Sequence, residues 1–197
     1  MTTPGTARDR AKAERTDAIL AAAASLFAAR GYSGASLEEI GAAVGISGPA
    51  VYRHFAGKQA LLGALLIGVS ERLVAGGLEV ARADATPEER MRRLVAYHVD
   101  FAVGNADVIR VQDRDLSHLS SEGRSDVRRL QRAYIELWID SLAQVLGDDR
   151  DALRLRVQAC FGLINSTPHS TSSALRGRVD TARLLTAMAI AALLAAG

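Results

Sequence analysis

Cysteine is nearly absent. Cys160 is the single one in 197 residues, which excludes an intramolecular disulfide and a zinc site built from cysteines. Aromatic residues are few, four Phe, four Tyr and one Trp, and the alternating Val, Ile and Thr runs that mark half-buried strands do not occur. No stretch of about 18 uninterrupted apolar residues is available to cross a membrane, and no apolar segment precedes residue 18 to act as a secretory leader. The reading is a cytoplasmic protein with no membrane partner. Groupings that carry chemistry are missing too. His98, His118 and His169 form no H-x-x-H or H-E-x-x-H pair, so no metal is expected. No glycine-rich phosphate loop follows a strand and no G-x-S-x-G elbow occurs. Asp113 and Asp115 flank Arg114 like a solvated helix turn, not a paired acid and base, and Cys160 sits in an apolar stripe as a packing residue. No catalytic residue, no cofactor and no enzymatic activity are expected.

What is present favours helices. Nearly half the residues, 49%, are hydrophobic, ample for a real core, and Ala, Leu and Arg, all good helix formers, are abundant. An all-α fold of about nine helices follows. The formal charge of +2 is unevenly spread: residues 1–58 carry seven basic and five acidic side chains, and residues 59–197 carry seventeen of each. The excess lies at the N-terminal end, as a polyanion-facing surface requires.

The segment from Ser36 to Lys58 is the most informative. S-x-x-E at Ser36 and Glu39 is a capping box, followed by one apolar face of Leu37, Ile40 and Val44. Gly45 suits the left-handed residue that ends a helix, and Ser47 the cap that begins the next. Pro49 stands in the first turn of a second helix of about two turns, from Gly48 to His54. Val51 and Phe55 face inward, leaving Tyr52, Arg53 and His54 outside. Gly48, Pro49 and Ala50 have almost no side chain, so the backbone there can approach a groove floor closely, and its amides carry the positive end of the helix dipole. Lys58 is placed to meet a phosphate. This is a helix-turn-helix layout.

Through Phe27, Arg30, Gly31 and Tyr32, then Ile40, Gly45, Ser47, Tyr52, His54, Phe55 and Lys58, the chain resembles the tetracycline-repressor (TetR/AcrR) family of bacterial transcriptional regulators, over about its first 60 residues. It departs at Gly41 and Val44, where many relatives carry alanine; Gly41 is expected to loosen its helix by up to ~1 kcal/mol relative to Ala. The resemblance implies a DNA-binding domain over residues 1–57 and a helical ligand-binding and dimerisation domain over residues 58–197. Ser36, Ser47, Gly48, Pro49, Ala50, Tyr52, Arg53, His54 and Lys58 are then the DNA-contacting set. The implied partners are a double-stranded, palindromic operator, a small hydrophobic organic effector, and a second copy of the chain joined through the last two long helices.

The rest of the chain fits that plan. Residues 1–10 read as a mobile arm, and the first helix runs from about Ala11 to Arg30 with Gly31 as its C-cap. A long helix from Lys58 to Arg82 contains Gly63, Gly68, Gly76 and Gly77, which predicts softness and a bend near Gly76. Further helices cover about Pro87 to Gly104, Asp107 to Leu116, Ser125 to Leu146 and Asp149 to Ile164. His118 to Ser125 reads as a loop, and Asn165 to Ser173, with Pro168, as a polar interruption. The last helix, about Asp180 to Ala196, is apolar on more than one face and needs a cover. Tyr97, Phe101, Tyr134, Trp138 and Phe161 are the aromatic candidates for an effector pocket, with Asn165 and His169 at its polar rim. A non-enzymatic, architectural DNA binder without a ligand response is the alternative.

Overall fold

The computed structural model describes residues 6–147, 149–171 and 180–195, with the backbone alone for 167–169. The described residues form nine α-helices and one 3-10 turn, with no strand. The helices are α1 (Ala7–Arg30), α2 (Leu37–Ala43), α3 (Gly48–Tyr52), α4 (Lys58–Ala81), α5 (Pro87–Gly104), α6 (Ala106–Asp115), α7 (Ser121–Leu146), α8 (Arg150–Ser170) and α9 (Thr181–Leu193), with the 3-10 turn at Leu116–His118.

Helix α1 starts earlier than the composition of residues 1–10 predicts. Thr6 and Asp9 form a reciprocal capping box, so the segment read as a mobile arm is helical from Ala7. The arm's first five residues lie outside the described region. At the other end Gly31 adopts φ 80° and returns its N–H to the Phe27 carbonyl. Such a φ is costly for a residue with a Cβ.

Two cores are present. The first joins Ile19, Ala23 and Phe27 of α1, Leu37 and Ile40 of α2, Val51 and Phe55 to Leu61, Leu62, Leu65, Leu66 and Val69 of α4, and reaches Val108 and Val111 of α6. The core of the N-terminal head therefore does not close at residue 57 but takes in the first half of α4. The second gathers Met91, Leu94, Trp138, Leu142, Leu153, Val157, Ile164, Leu185 and Ala189 from α5, α7, α8 and α9. Helix α4 is long and apolar enough to span a membrane by length and composition. Its buried leucines identify it as a core helix that passes from one core to the other.

The glycines of α4 serve packing. A Cβ on Gly76 would overlap the Tyr97 hydroxyl, and one on buried Gly77 would come within 2.7 Å of Tyr134 Cε2 and 2.8 Å of Leu137 Cδ2. The expected bend near Gly76 does not interrupt the element, which is one continuous helix; the glycines let α5 and α7 lie close against it.

Two further expectations are corrected. Ser120 caps α7 by accepting from Gly123 N at 3.0 Å, so the helix begins at Ser121, four residues before Ser125, inside the segment read as a loop. Helix α8 continues through Asn165 to Ser170, where a polar interruption was expected. The remainder of that segment, 172–173, lies outside the described residues. Asn165 tolerates the helix because its amide oxygen is engaged by a side chain on α5.

Candidate DNA-binding face and effector cavity

The head builds its exposed face by local capping. Ser36 Oγ accepts from Glu39 N at 3.1 Å, and the Glu39 carboxylate accepts from Ser36 N at 2.9 Å and pairs with Arg30 at 2.6 Å. These hydrogen bonds hold the Glu39 carboxyl below its usual range, the Ser36 backbone first among them. Gly45, at φ 70°, turns the chain, and Ile46 N donates back to the Gly41 carbonyl at 3.0 Å. Gly41 is buried, and a Cβ there would lie 2.8 Å from the Ile46 oxygen and 3.1 Å from Val51 Cγ2. This glycine, read as a local weakness, lets α3 sit close to α2.

Helix α3 is five residues long, begins at Gly48 after the cap position Ser47 and has Pro49 in its first turn. Val51 and Phe55 anchor it in the core. Tyr52, 54% exposed, and Arg53 point outward. Ser47 is exposed and makes no capping hydrogen bond. The bare-backbone expectation for Gly48, Pro49 and Ala50 needs correction. Only Pro49 is open to solvent; Gly48 is covered by the Glu38 side chain, to which a Cβ would approach within 3.1 Å, and Ala50 is turned into the motif.

His54 and Lys58 have partners within the head. His54, expected inside the second motif helix, lies in the turn after α3, and its Nδ1 meets the Thr16 hydroxyl at 3.1 Å, tying that turn to α1. Lys58 Nζ donates to the Ala35 carbonyl at 2.9 Å and lies 4.5 Å from the centre of the Tyr32 ring. Lys58 and Tyr52 border a shallow cleft with the Ser33–Glu39 segment. Arg8, Arg10, Lys12 and Arg15 are exposed along the first turns of α1, and Arg15 donates to the Val44 carbonyl at 3.4 Å.

The body contains a cavity of about 180 Å³ between five helices. Val69, Ser70 and Leu73 of α4 form one wall; His98 and Phe101 of α5, and Val108, Ile109 and Gln112 of α6, form the next. Leu130, Gln131, Tyr134 and Ile135 of α7 face Phe161 and Asn165 of α8. Of the seven residues expected at a pocket, Phe101, Tyr134, Phe161 and Asn165 line this one. Trp138 is fully buried one layer behind, with its ring 4.8 Å from Phe161. Tyr97 lies outside the lining, its hydroxyl donating to the Arg72 carbonyl at 2.9 Å against Gly76. The side chain of His169 falls outside the described residues.

The residue at the centre is one that sequence reasoning considered only as a metal ligand. His98 is 3% exposed, stacks on Phe161 at 4.6 Å and meets Asn165 Oδ1 through Nε2 at 3.1 Å. Burial pushes its imidazole down to about 4, against the opposing hydrogen bond from Asn165, so it is neutral at physiological pH. Its Nδ1, the Tyr134 hydroxyl and the Trp138 indole nitrogen are buried without a hydrogen-bond partner. Burial pushes the Tyr134 hydroxyl up, and the Trp138 indole N–H, a turn away on α7, opposes that shift without reaching full hydrogen-bond geometry. Cys160 is buried and its thiol is pushed up to about 12, which makes it an inert packing group.

Cavity and head are joined twice. Helix α4 lines the cavity at Val69–Leu73 and enters the head's core at Leu61–Leu66. Helix α6 lines it at Val108–Gln112 and carries Arg114 in its last turn, whose guanidinium donates to the Phe27 and Ala28 carbonyls at the end of α1. Arg114 also pairs at 2.9 Å with Asp115, which is 3% exposed. The segment read as a solvated turn is a clasp between body and head, with the Asp115 carboxylate buried and the Arg114 guanidinium at the surface edge.

A capped helix-turn-helix carried on the helix that walls a cavity defines a DNA-binding regulator. Residues 19–65 match the model for bacterial regulatory proteins of the tetR family, and residues 84–169 match the tetracyclin repressor-like C-terminal domain. The chain belongs to the TetR family of bacterial transcriptional regulators. It is similar to the HTH-type transcriptional repressor KstR2 of Mycobacterium tuberculosis, with 28% identity over 78% of this chain and 77% of that one. It is 35% identical over 45% of its length to the HTH-type transcriptional activator FasR of Mycolicibacterium smegmatis, of which it spans 40%. The fold is shared with AibR in complex with isovaleryl coenzyme A and operator DNA, at TM-score 0.74 and 22% identity over 91% of this chain and 97% of that one.

Proposed function

We propose that the protein is a homodimeric, ligand-responsive repressor whose head, residues 1–57, binds a palindromic operator and whose body, residues 58–197, binds a small organic effector. One observation carries this reading: α4 belongs at once to the core of the head and to the wall of the cavity. An occupant that displaces the cavity end of α4 tilts the head, and in a two-fold dimer the separation of two recognition helices must stay near about 34–36 Å to match successive major grooves. A coupling of about 1–3 kcal/mol is enough to change operator affinity 5–150-fold. KstR2, which matches most of the chain, is a repressor, and this favours repression. The role is regulatory and not enzymatic, exercised in the cytoplasm where the operator is.

In this reading Pro49, Tyr52 and Arg53 are the outward groups of α3 that reach DNA. Ser36, Ser47, His54 and Lys58 hold the backbone or the motif itself, and Gly48 and Ala50 set how closely α3 packs. Tyr52→Ala is expected to weaken binding to the palindromic DNA upstream of the protein's own gene by roughly 100-fold, because ~1.4 kcal/mol per half-site counts twice in a symmetric dimer. Fluorescence anisotropy at fixed salt measures it, with circular dichroism as the control for folding. Affinity within twofold of the unmodified protein would remove Tyr52 from the interface. The same titration with random duplex at matched salt separates this reading from an architectural binder, which would not discriminate.

The dimer is assigned to α8 and α9. Leu155 is 69% exposed, Leu184 52% and Met188 47%, and exposed Ala159, Gly162, Ala187 and Ala191 continue the same apolar stripe. Leu184→Glu with Met188→Glu is expected to yield a folded monomer in analytical ultracentrifugation, since it would bury two carboxylates per chain at the interface. A persistent dimer would place the interface elsewhere.

A further inference from the structure

The proposal that follows rests on the effector reading above and specifies its chemistry. Among the described residues, the cavity is lined by no Lys, Arg, Asp or Glu; its polar members are Ser70, His98, Gln112, Gln131, Tyr134 and Asn165. Nothing there balances a charge, so a carboxylate, phosphate or ammonium would enter unpaired. Ser70 is already committed, donating to the Leu66 carbonyl at 2.8 Å.

Of the three buried side-chain polar atoms without a partner among the described residues, Trp138 Nε1 belongs to a residue behind the lining, and the other two belong to adjacent residues that line the cavity. Because Nε2 of His98 faces the Asn165 amide oxygen at 3.1 Å, Nε2 carries the proton and Nδ1 is left as a bare acceptor. The Tyr134 hydroxyl, on a ring whose centre is 5.6 Å from that of His98, is a donor without a partner. A group that satisfies both must donate one proton and accept another. A ketone, ester or thioester oxygen accepts only, and an amine would arrive charged. A hydroxyl does both.

We propose that the cavity takes the end of an uncharged, hydroxyl-bearing apolar molecule, an alcohol whose O–H donates to His98 Nδ1 and accepts from Tyr134. Phe101, Phe161 and the aliphatic wall of α4 cover its carbon frame. The volume of about 180 Å³ is close to that of cavities that hold benzene, at about 150 Å³, so a six-membered carbocycle is a suitable probe. Trp138, the single tryptophan, has its ring 5.6 Å from His98 and reports occupancy by fluorescence.

The test titrates the full-length protein with cyclohexanol, cyclohexanone and cyclohexanecarboxylate, following Trp138 emission. Cyclohexanol is expected to bind at least about tenfold more tightly than the ketone, as in sites built around a ligand hydroxyl. The carboxylate is expected not to bind. Tyr134→Phe keeps the ring but removes the donor that both oxygens accept from, and is expected to weaken the alcohol and the ketone alike while the alcohol keeps its preference through His98 Nδ1. Equal binding of alcohol and ketone by the unmodified protein, or tighter binding of the carboxylate, overturns the hydroxyl assignment and leaves the cavity standing as an effector site. Binding by none of the three, up to their solubility limits, overturns both.

Discussion

Arg114→Ala is expected to lower the unfolding free energy by about 2–3 kcal/mol, a large effect for one surface-edge side chain. Two losses add. The Asp115 carboxylate stays buried without its cation, and at the end of α1 the Ala28 carbonyl loses the Arg114 donor while the Phe27 carbonyl keeps only the Gly31 N–H. The figure is set below the usual cost of breaking a fully buried pair because the Arg114 side chain is 42% exposed and its charge is partly screened. Urea unfolding at fixed protein concentration measures the change. Adding Asp115→Asn in the same chain is expected to recover part of it, since the orphaned charge is gone. A loss under about 0.5 kcal/mol, the range of ordinary surface substitutions, would demote the clasp to an incidental contact. The same variant is expected to bind operator in a manner less sensitive to effector, because α6 then holds the end of α1 through apolar contacts without the Arg114 hydrogen bonds.

Acidification supplies the second large effect. In the unfolded chain His98 takes a proton near pH 6.5, whereas in the folded chain burial holds it neutral down to about 4. Below 6.5 the unfolded state therefore binds more protons, and stability falls with falling pH until the folded imidazole also titrates. At ~1.4 kcal/mol per pH unit the loss from this group is roughly 3 kcal/mol per chain between pH 6.5 and 4. The upper part of this window is free of the perturbed carboxylates. Glu39 and Glu136 have their carboxyls held below the ordinary value of 4.5 by hydrogen bonds and arginine partners. Comparing stability at pH 6.5 and 5 in the unmodified protein and in His98→Gln isolates the effect. The variant is expected to show a much flatter slope whatever its absolute stability. Parallel slopes would mean that His98 is hydrated in the native protein.

The parts of this molecule legible in the sequence are those that local chemistry decides. Ser36 and Glu39 cap each other within one turn, Gly45 supplies a left-handed corner, and Val51 and Phe55 share a face; each needs only its neighbours. What was not legible depends on partners far along the chain. Asn165 reads as a helix breaker until His98, 67 residues away, takes its amide oxygen. His98 in turn shows no motif, since its meaning comes from α7 and α8. Gly76 and Gly77 look soft in isolation, yet Tyr97 and Tyr134 occupy the space where their side chains would be. Arg114 and Asp115 look solvated because nothing local reveals that the end of α1 lies against them. Thr6 and Asp9 did carry a signal, a capping box with Asp in place of Glu, within a stretch whose composition suggested an arm.

The sharing of α4 bears on how such regulators can be recombined. A hybrid spliced at residue 57 would hand the head to a foreign helix and strip it of Leu61, Leu62, Leu65 and Leu66, the floor on which α1 and α2 rest. A joint beyond Val69 would carry that floor along but import the first cavity wall with it. Operator choice and effector choice are thus inherited with one overlapping stretch of chain. Exchanging one while preserving the other requires matching side chains across the seam, not merely cutting at the loop.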